Sequence, residues 1–198
     1  KQGVYDNTVI IFTSDHGLFM GEQGLGGKAL CYEKTTHVPL IVFDPRKHKG
    51  NLTNDALVQS IDIAPTMLKL AGVEVPKAMQ GEDIRPAIYQ GKPTSRQYAF
   101  NANLWSTHFG NPRCEAIQDN KWKYIRYYQN NNMSATKKVE IAKKLDISVN
   151  KVLYGMHDND IVVYQNYLTA SLEGEPEVYE ELYNLQQDPN ELENLAGN

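Results

Sequence analysis

The run Thr8-Val9-Ile10-Ile11-Phe12-Thr13 constrains this chain most, because it is unbroken in β-branched and aromatic residues and stops abruptly at Ser14-Asp15-His16-Gly17. An apolar run without alternation fits a strand buried on both faces, as in a parallel sheet covered by helices. Val38-Pro39-Leu40-Ile41-Val42-Phe43 reads as a second strand of that kind, with Pro39 at its entry. Asp62 to Gly72 carries helix punctuation: a capping Asp62, Pro65 in the first turn and a terminal Gly72. Ile63, Met67 and Leu70 share one face of that helix. Strand, loop, strand, helix is an α/β layer pattern.

Beyond about Pro93 the texture changes. Gln97 to Asn101, Lys121 to Tyr128 and Glu180 to Leu185 mix polar with aromatic residues, as half-exposed antiparallel strands do. A boundary near residues 91–95 is therefore expected, with an α/β part over 1–92 and a smaller α+β subdomain over 93–198. A polar, partly helical insertion is expected at about 129–177.

Composition narrows the function. The 198 residues are 41% hydrophobic and 22% charged, which suits an ordinary globular protein with a real core. A net charge of -4 argues against a general nucleic-acid binder. Ile141 to Val152 reads like a helix-turn-helix, but Asp146 stands where such motifs usually have glycine, and the lysines from Lys137 to Lys151 suit a solvated face. Cys31 and Cys114 are too few for a disulfide framework and are expected to be buried thiols. No run is long enough to span a membrane. The chain begins at Lys1 and meets a strand within a few residues, so it is expected to be a piece of something longer.

The chemistry gathers where the first strand ends. In open α/β sheets the carboxyl edge of the strands is where ligands bind. A carboxylate beside an imidazole there serves as two metal ligands, or as a base and its orienter. Five glycines between residues 17 and 27 precede Lys28, a loop that lets backbone approach an anion beside a compact positive charge. Such a layout suits a metal plus an oxyanion. Taken singly, an Asp-His pair is often a turn and a lysine after glycines is often solvated. A nucleotide P-loop is excluded, since Glu22 and Ala29 stand where it requires Gly and Ser or Thr.

Several blocks, in order, resemble the type I sulfatases, the formylglycine-dependent arylsulfatase family of the alkaline-phosphatase-like superfamily. They are Thr13-Ser14-Asp15-His16-Gly17, Gly21-Glu22-Gln23-Gly24, Lys28, Tyr32-Glu33 and Thr36 to Val42. Further along come Ser60 to Leu68, Lys121-Trp122-Lys123-Tyr124-Ile125, and Glu181 to Leu185 with Asp188-Pro189, Glu191 and Asn194-Leu195-Ala196. The resemblance implies the C-terminal part of an α/β/α sandwich followed by a small α+β subdomain with an antiparallel sheet. It implies sulfuric ester hydrolysis, on a sulfated carbohydrate, by a periplasmic or secreted protein.

Residue by residue, the resemblance makes Asp15 a carboxylate ligand of calcium and His16 the second ligand of that loop. Lys28 becomes the catalytic lysine that contacts the sulfate and leaving-group oxygens. Manganese or zinc would suit an imidazole ligand better than calcium does, and the family argues for calcium. Members of the family often have His where Gln23 stands, which leaves the leaving-group acid open. Their nucleophile, a Cys or Ser in a Cys/Ser-x-Pro-x-Arg motif, is absent from these residues; Pro93-Thr94-Ser95-Arg96 has only a superficial likeness and reads as a linker. The N-terminal half of the same protein is thus the expected partner, and this chain alone is expected to have no turnover. Trp105, His108 and Arg113, with Phe109, form a loop cluster read either as packing or as a wall of the substrate pocket. A phosphomonoesterase or phosphonate ester hydrolase of the same superfamily is the alternative enzyme, and a non-catalytic fragment the alternative outside catalysis.

Overall fold

The computed structural model describes residues 2–47, 50, 52–103, 113–128, 135–144, 146–154 and 176–197. In chain order these form β1 (Ile10–Thr13), β2 (Phe19–Met20), β3 (Gly26–Gly27), α1 (Glu33–Thr36) and β4 (Leu40–Phe43). Helices α2 (Ile63–Leu70) and α3 (Arg85–Gln90) follow. Then come β5 (Ala99–Asn103), β6 (Arg113–Gln118), β7 (Trp122–Tyr128), α4 (Ala135–Lys144), α5 (Val149–Tyr154) and β8 (Tyr179–Asn184). The chain divides into two compact units, Lys1–Gly17 with His37–Ala99, and Leu18–Thr36 with Phe100–Asn198.

In the first unit the two apolar runs form strands, but they pair antiparallel, Ile10 opposite Phe43 and Thr13 opposite Leu40. The expectation of parallel strands buried on both faces is corrected here. Ile10, Phe12, Ile41 and Phe43 share one face and are between 42% and 60% exposed. An unalternating apolar run encodes burial against something on each side; it does not encode strand direction.

Helix α2 matches its punctuation, with Pro65 in the first turn and Gly72 at φ 73° just past the end. Its buried side is not the Ile63–Met67–Leu70 face. Pro65 and Thr66 are buried while Met67 is 54% exposed, and the Thr66 hydroxyl accepts the Ile84 N–H (3.0 Å), which ties that side to the segment leading into α3. Asp62 does not cap α2 with its side chain either. Fully buried, its carboxylate accepts the N–H groups of Gln59 and Glu82 (2.8 Å each) and pairs with Arg96 (2.5 Å).

The second unit is built on a four-stranded sheet in the order β5-β6-β7-β8, with β6–β7 and β7–β8 antiparallel. Its core gathers Phe19, Cys31, Tyr32, Cys114, Ala116, Ile125, Tyr127 and Tyr183. The two cysteines are buried free thiols as expected, and their sulfurs lie 3.5 Å apart. Inside the expected insertion, α4 and α5 form a helical pair around buried Ile141 and Ala142, turning through Asp146 at φ 53°. Among the described residues no helix is long and apolar enough to cross a membrane.

Candidate active site

At the end of β1 the chain turns through Ser14, whose hydroxyl donates to the His16 carbonyl (2.8 Å). The His16 Nδ1 lies 2.8 Å from the Gly17 carbonyl, and since a carbonyl only accepts, that nitrogen carries the proton. Nε2 then faces Asp15, 3.2 Å from Oδ2. An imidazole held through one nitrogen by a backbone carbonyl, with its other nitrogen beside a carboxylate oxygen, has the support a metal-ligating histidine uses. The Asp15 side chain is 82% exposed. The pair thus fits a cation by chemistry but supplies two donors, whereas calcium takes six to eight oxygens. Among the described residues no group of three or more His, Cys, Asp and Glu side chains stands ready to hold a metal.

Lys28 follows a different construction. Strands β2 and β3 pair Phe19 with Gly27 and Met20 with Gly26, closing a hairpin whose tip is residues 21–25. Gly21 (φ 118°) and Gly27 (φ 85°) take backbone that side chains rarely adopt, which explains the glycines on either side of the tip. The Met20 N–H donates to the Glu22 carboxylate (2.6 Å), and this bond holds the carboxyl below its ordinary pKa. Gln23, in a left-handed conformation, donates through Nε2 to the Asn190 carbonyl (2.5 Å) and the Glu191 carbonyl (3.3 Å). In this chain position 23 therefore ties the hairpin tip to the C-terminal segment. Lys28 leaves the hairpin exposed.

The residues after Lys28 are fixed one by one onto the sheet. Ala29 accepts from the Asn103 side-chain amide of β5. Cys31 touches Cys114 of β6, and the Tyr32 hydroxyl donates to Glu181 of β8 (2.9 Å). Burial pushes the Tyr32 phenol up to about 12. Glu33 pairs with Lys123 of β7 (2.7 Å), and its N–H donates to the Glu191 carboxylate (2.6 Å). Lys123 is fully buried, 3.3 Å from Glu191 as well. A buried ammonium between two carboxylates is the feature least visible in sequence, where Lys123 reads as the polar member of an aromatic strand. Lys123, Ile125 and Tyr127 share one face of β7 by alternation and are all buried, but alternation alone does not say which face of the strand turns inward.

Of the remaining candidates, Arg113 is buried at the start of β6, its guanidinium 6.0 Å from the Tyr128 ring centroid. Trp105, His108 and Phe109 lie outside the described residues. Asp15 and His16 belong to the first unit and Lys28 to the second.

Known proteins share these elements. The family model for the C-terminal region of N-sulphoglucosamine sulphohydrolase matches residues 21–143, more than half of the chain. An N-acetylglucosamine-6-O-sulfatase of Bacteroides thetaiotaomicron is 43% identical over 88 residues, 44% of this chain and 16% of that protein. Arylsulfatase K of Xenopus laevis is 31% identical over 131 residues, 63% of this chain and 24% of that protein. A protein solved in complex with its substrate, D-glucosamine-2-N,6-O-disulfate, superposes with a TM-score of 0.70 at 27% identity, over 98% of this chain and 31% of that one. The chain thus spans less than a third of the length of each of these three proteins.

Proposed function

The chain belongs to the sulfatase family of N-sulphoglucosamine sulphohydrolase, whose C-terminal portion it carries, and from that premise we propose that the intact protein is a sulfuric ester hydrolase acting on a sulfated amino sugar. The family match over residues 21–143, which contains the hairpin tip, Lys28 and the strand that carries Lys123, carries this reading. The 6-O-sulfatase relative and the glucosamine disulfate bound by the structural neighbour favour a glucosamine bearing a 6-sulfate.

In this reading Lys28 brings its ammonium to the sulfuryl and leaving-group oxygens, where a fixed charge does most during transfer. Asp15 and His16 would hold calcium, through their carboxylate and imidazole groups. The cation supplies Lewis-acid stabilisation of a sulfate oxygen when bound. Its remaining ligands, and the formylglycine nucleophile, would come from the N-terminal half of the same protein. The exposed face of Ile10, Phe12, Ile41 and Phe43 supports that partner, since four apolar side chains side by side on a two-stranded sheet need a cover.

The test is hydrolysis by the intact protein of glucosamine 6-sulfate against glucosamine 6-phosphate. Sulfate release well above phosphate release is expected, with loss on chelation and recovery with calcium. Faster phosphate release would assign the protein to phosphoryl transfer instead.

A further inference from the structure

The hairpin that presents Lys28 is tied on both sides to one short segment, Asn190–Glu191. Upstream, Gln23 donates to the backbone carbonyls of Asn190 (2.5 Å) and Glu191 (3.3 Å). Downstream, the Glu33 N–H donates to Glu191 Oε2 (2.6 Å), while Glu191 Oε1 lies 3.3 Å from the Lys123 ammonium. That ammonium also meets Glu33 Oε1 (2.7 Å) and Thr36 Oγ1 (3.3 Å), so the foot of the loop closes into a ring of Glu191, Lys123 and Glu33. Gln118 donates to the same Glu33 oxygen (3.1 Å).

Two properties mark Glu191 as more than packing. Its backbone is left-handed at φ 55°, a conformation that a residue with a Cβ keeps only when its surroundings impose it. The turn before it does so: its N–H donates to the Asp188 carbonyl (3.1 Å), and Asp188 Oδ2 accepts the next two N–H groups, of Leu192 (2.7 Å) and Glu193 (2.8 Å). Its side chain is also 1% exposed, a buried carboxylate far from any surface role.

We propose that Glu191 is a positioning residue for Lys28, a hub that fixes both ends of the 23–33 loop so that the ammonium meets the sulfate ester at one place. This rests on the reading of Lys28 as the sulfate-contacting lysine. A charge that must sit at one point during transfer loses its effect when its mount loosens, and a displacement of about 1 Å costs roughly a hundredfold. Glu191 touches no substrate and acts only through the loop.

A double-mutant cycle in the intact protein tests this, with sulfate release from glucosamine 6-sulfate as the readout. Glu191→Gln is expected to lower kcat about tenfold to a hundredfold with KM changed less than about threefold. In a Lys28→Ala background, where there is no ammonium left to position, the same substitution is expected to change kcat less than about threefold. Equal losses in both backgrounds, or no loss beside Lys28, would overturn the proposal. If Glu191→Gln does not accumulate as folded protein, Gln23→Ala, which cuts the other tether, takes its place in the same cycle. Should Lys28→Ala itself leave kcat unchanged, the underlying reading of Lys28 falls and the hub falls with it; a full Lys28→Ala loss with additive Glu191→Gln overturns the hub alone.

Discussion

Lys123→Met removes the ammonium from between Glu33 and Glu191, whose side chains are 18% and 1% exposed. Methionine fills most of the same volume, so the change is one of charge more than of packing. Deleting one partner of a buried ion pair leaves an uncompensated charge and costs about 3–5 kcal/mol. For a protein of this size that is a fall in Tm of roughly 6–20 °C. The cost also depends on pH. Burial raises the Glu191 pKa above its ordinary value of 4.5, and Lys123 opposes that rise. A carboxyl raised on folding adds stability that is fully present below the unfolded pKa and is lost as pH rises through the folded value. Without Lys123 the folded value climbs further, so the penalty is small near pH 4.5 and full at pH 7.5. Thermal melts of wild type and variant across that range measure it, and Lys123→Met with Glu191→Gln should recover part of the loss at pH 7.5. A gap below about 1 kcal/mol at neutral pH, or one that does not change with pH, would refute the assignment of this cluster as a buried ionic lock.

Gly81→Ala should destabilise by about 1–3 kcal/mol or more in a denaturant titration, because its Cβ would stand 2.0 Å from the Ile61 carbonyl oxygen, a backbone atom that has to move. Asp44 is held well below the usual carboxylate range by hydrogen bonds from Arg46 (2.8 and 2.9 Å), with Tyr89 assisting. A lowered carboxyl contributes stability above the unfolded pKa, so urea midpoints should fall as pH drops below about 4 and Asp44→Asn should flatten that fall. Asp15→Asn should shift the calcium concentration that restores turnover to chelated protein upward by about tenfold or more, since carboxylate charge sets calcium affinity; an unmoved curve would remove Asp15 from the metal.

Strands β1, β4, β5, β7 and β8 and helix α2 could be read from sequence because runs, alternation and punctuation are local properties, whereas β6 starts at Arg113, a residue that reads as part of a loop. Strand direction could not: Ile10–Thr13 and Leu40–Phe43 pair antiparallel, and nothing in an unalternating run distinguishes the two pairings. The Asp15–His16 pair was visible because both residues sit in one turn and their 3.2 Å approach is local. Lys123 was hidden for the opposite reason. Its burial is tolerable only with Glu33 and Glu191, residues 90 and 68 positions away in the chain, so composition alone puts it on a half-exposed face. Gln23 was legible as a departure from the family's histidine, but its tether to residues 190 and 191 depends on a turn formed at the far end of the sequence.

In the proposed function Lys28 brings its charge to a sulfate ester. Single-turnover release of sulfate by the intact protein, wild type against Lys28→Ala, tests it most directly. The expected rate is lower by about 10²–10³, or roughly 3–4 kcal/mol of transition-state stabilisation, in a variant with an unchanged melting curve. A folded Lys28→Ala protein that releases sulfate at the wild-type rate would contradict it.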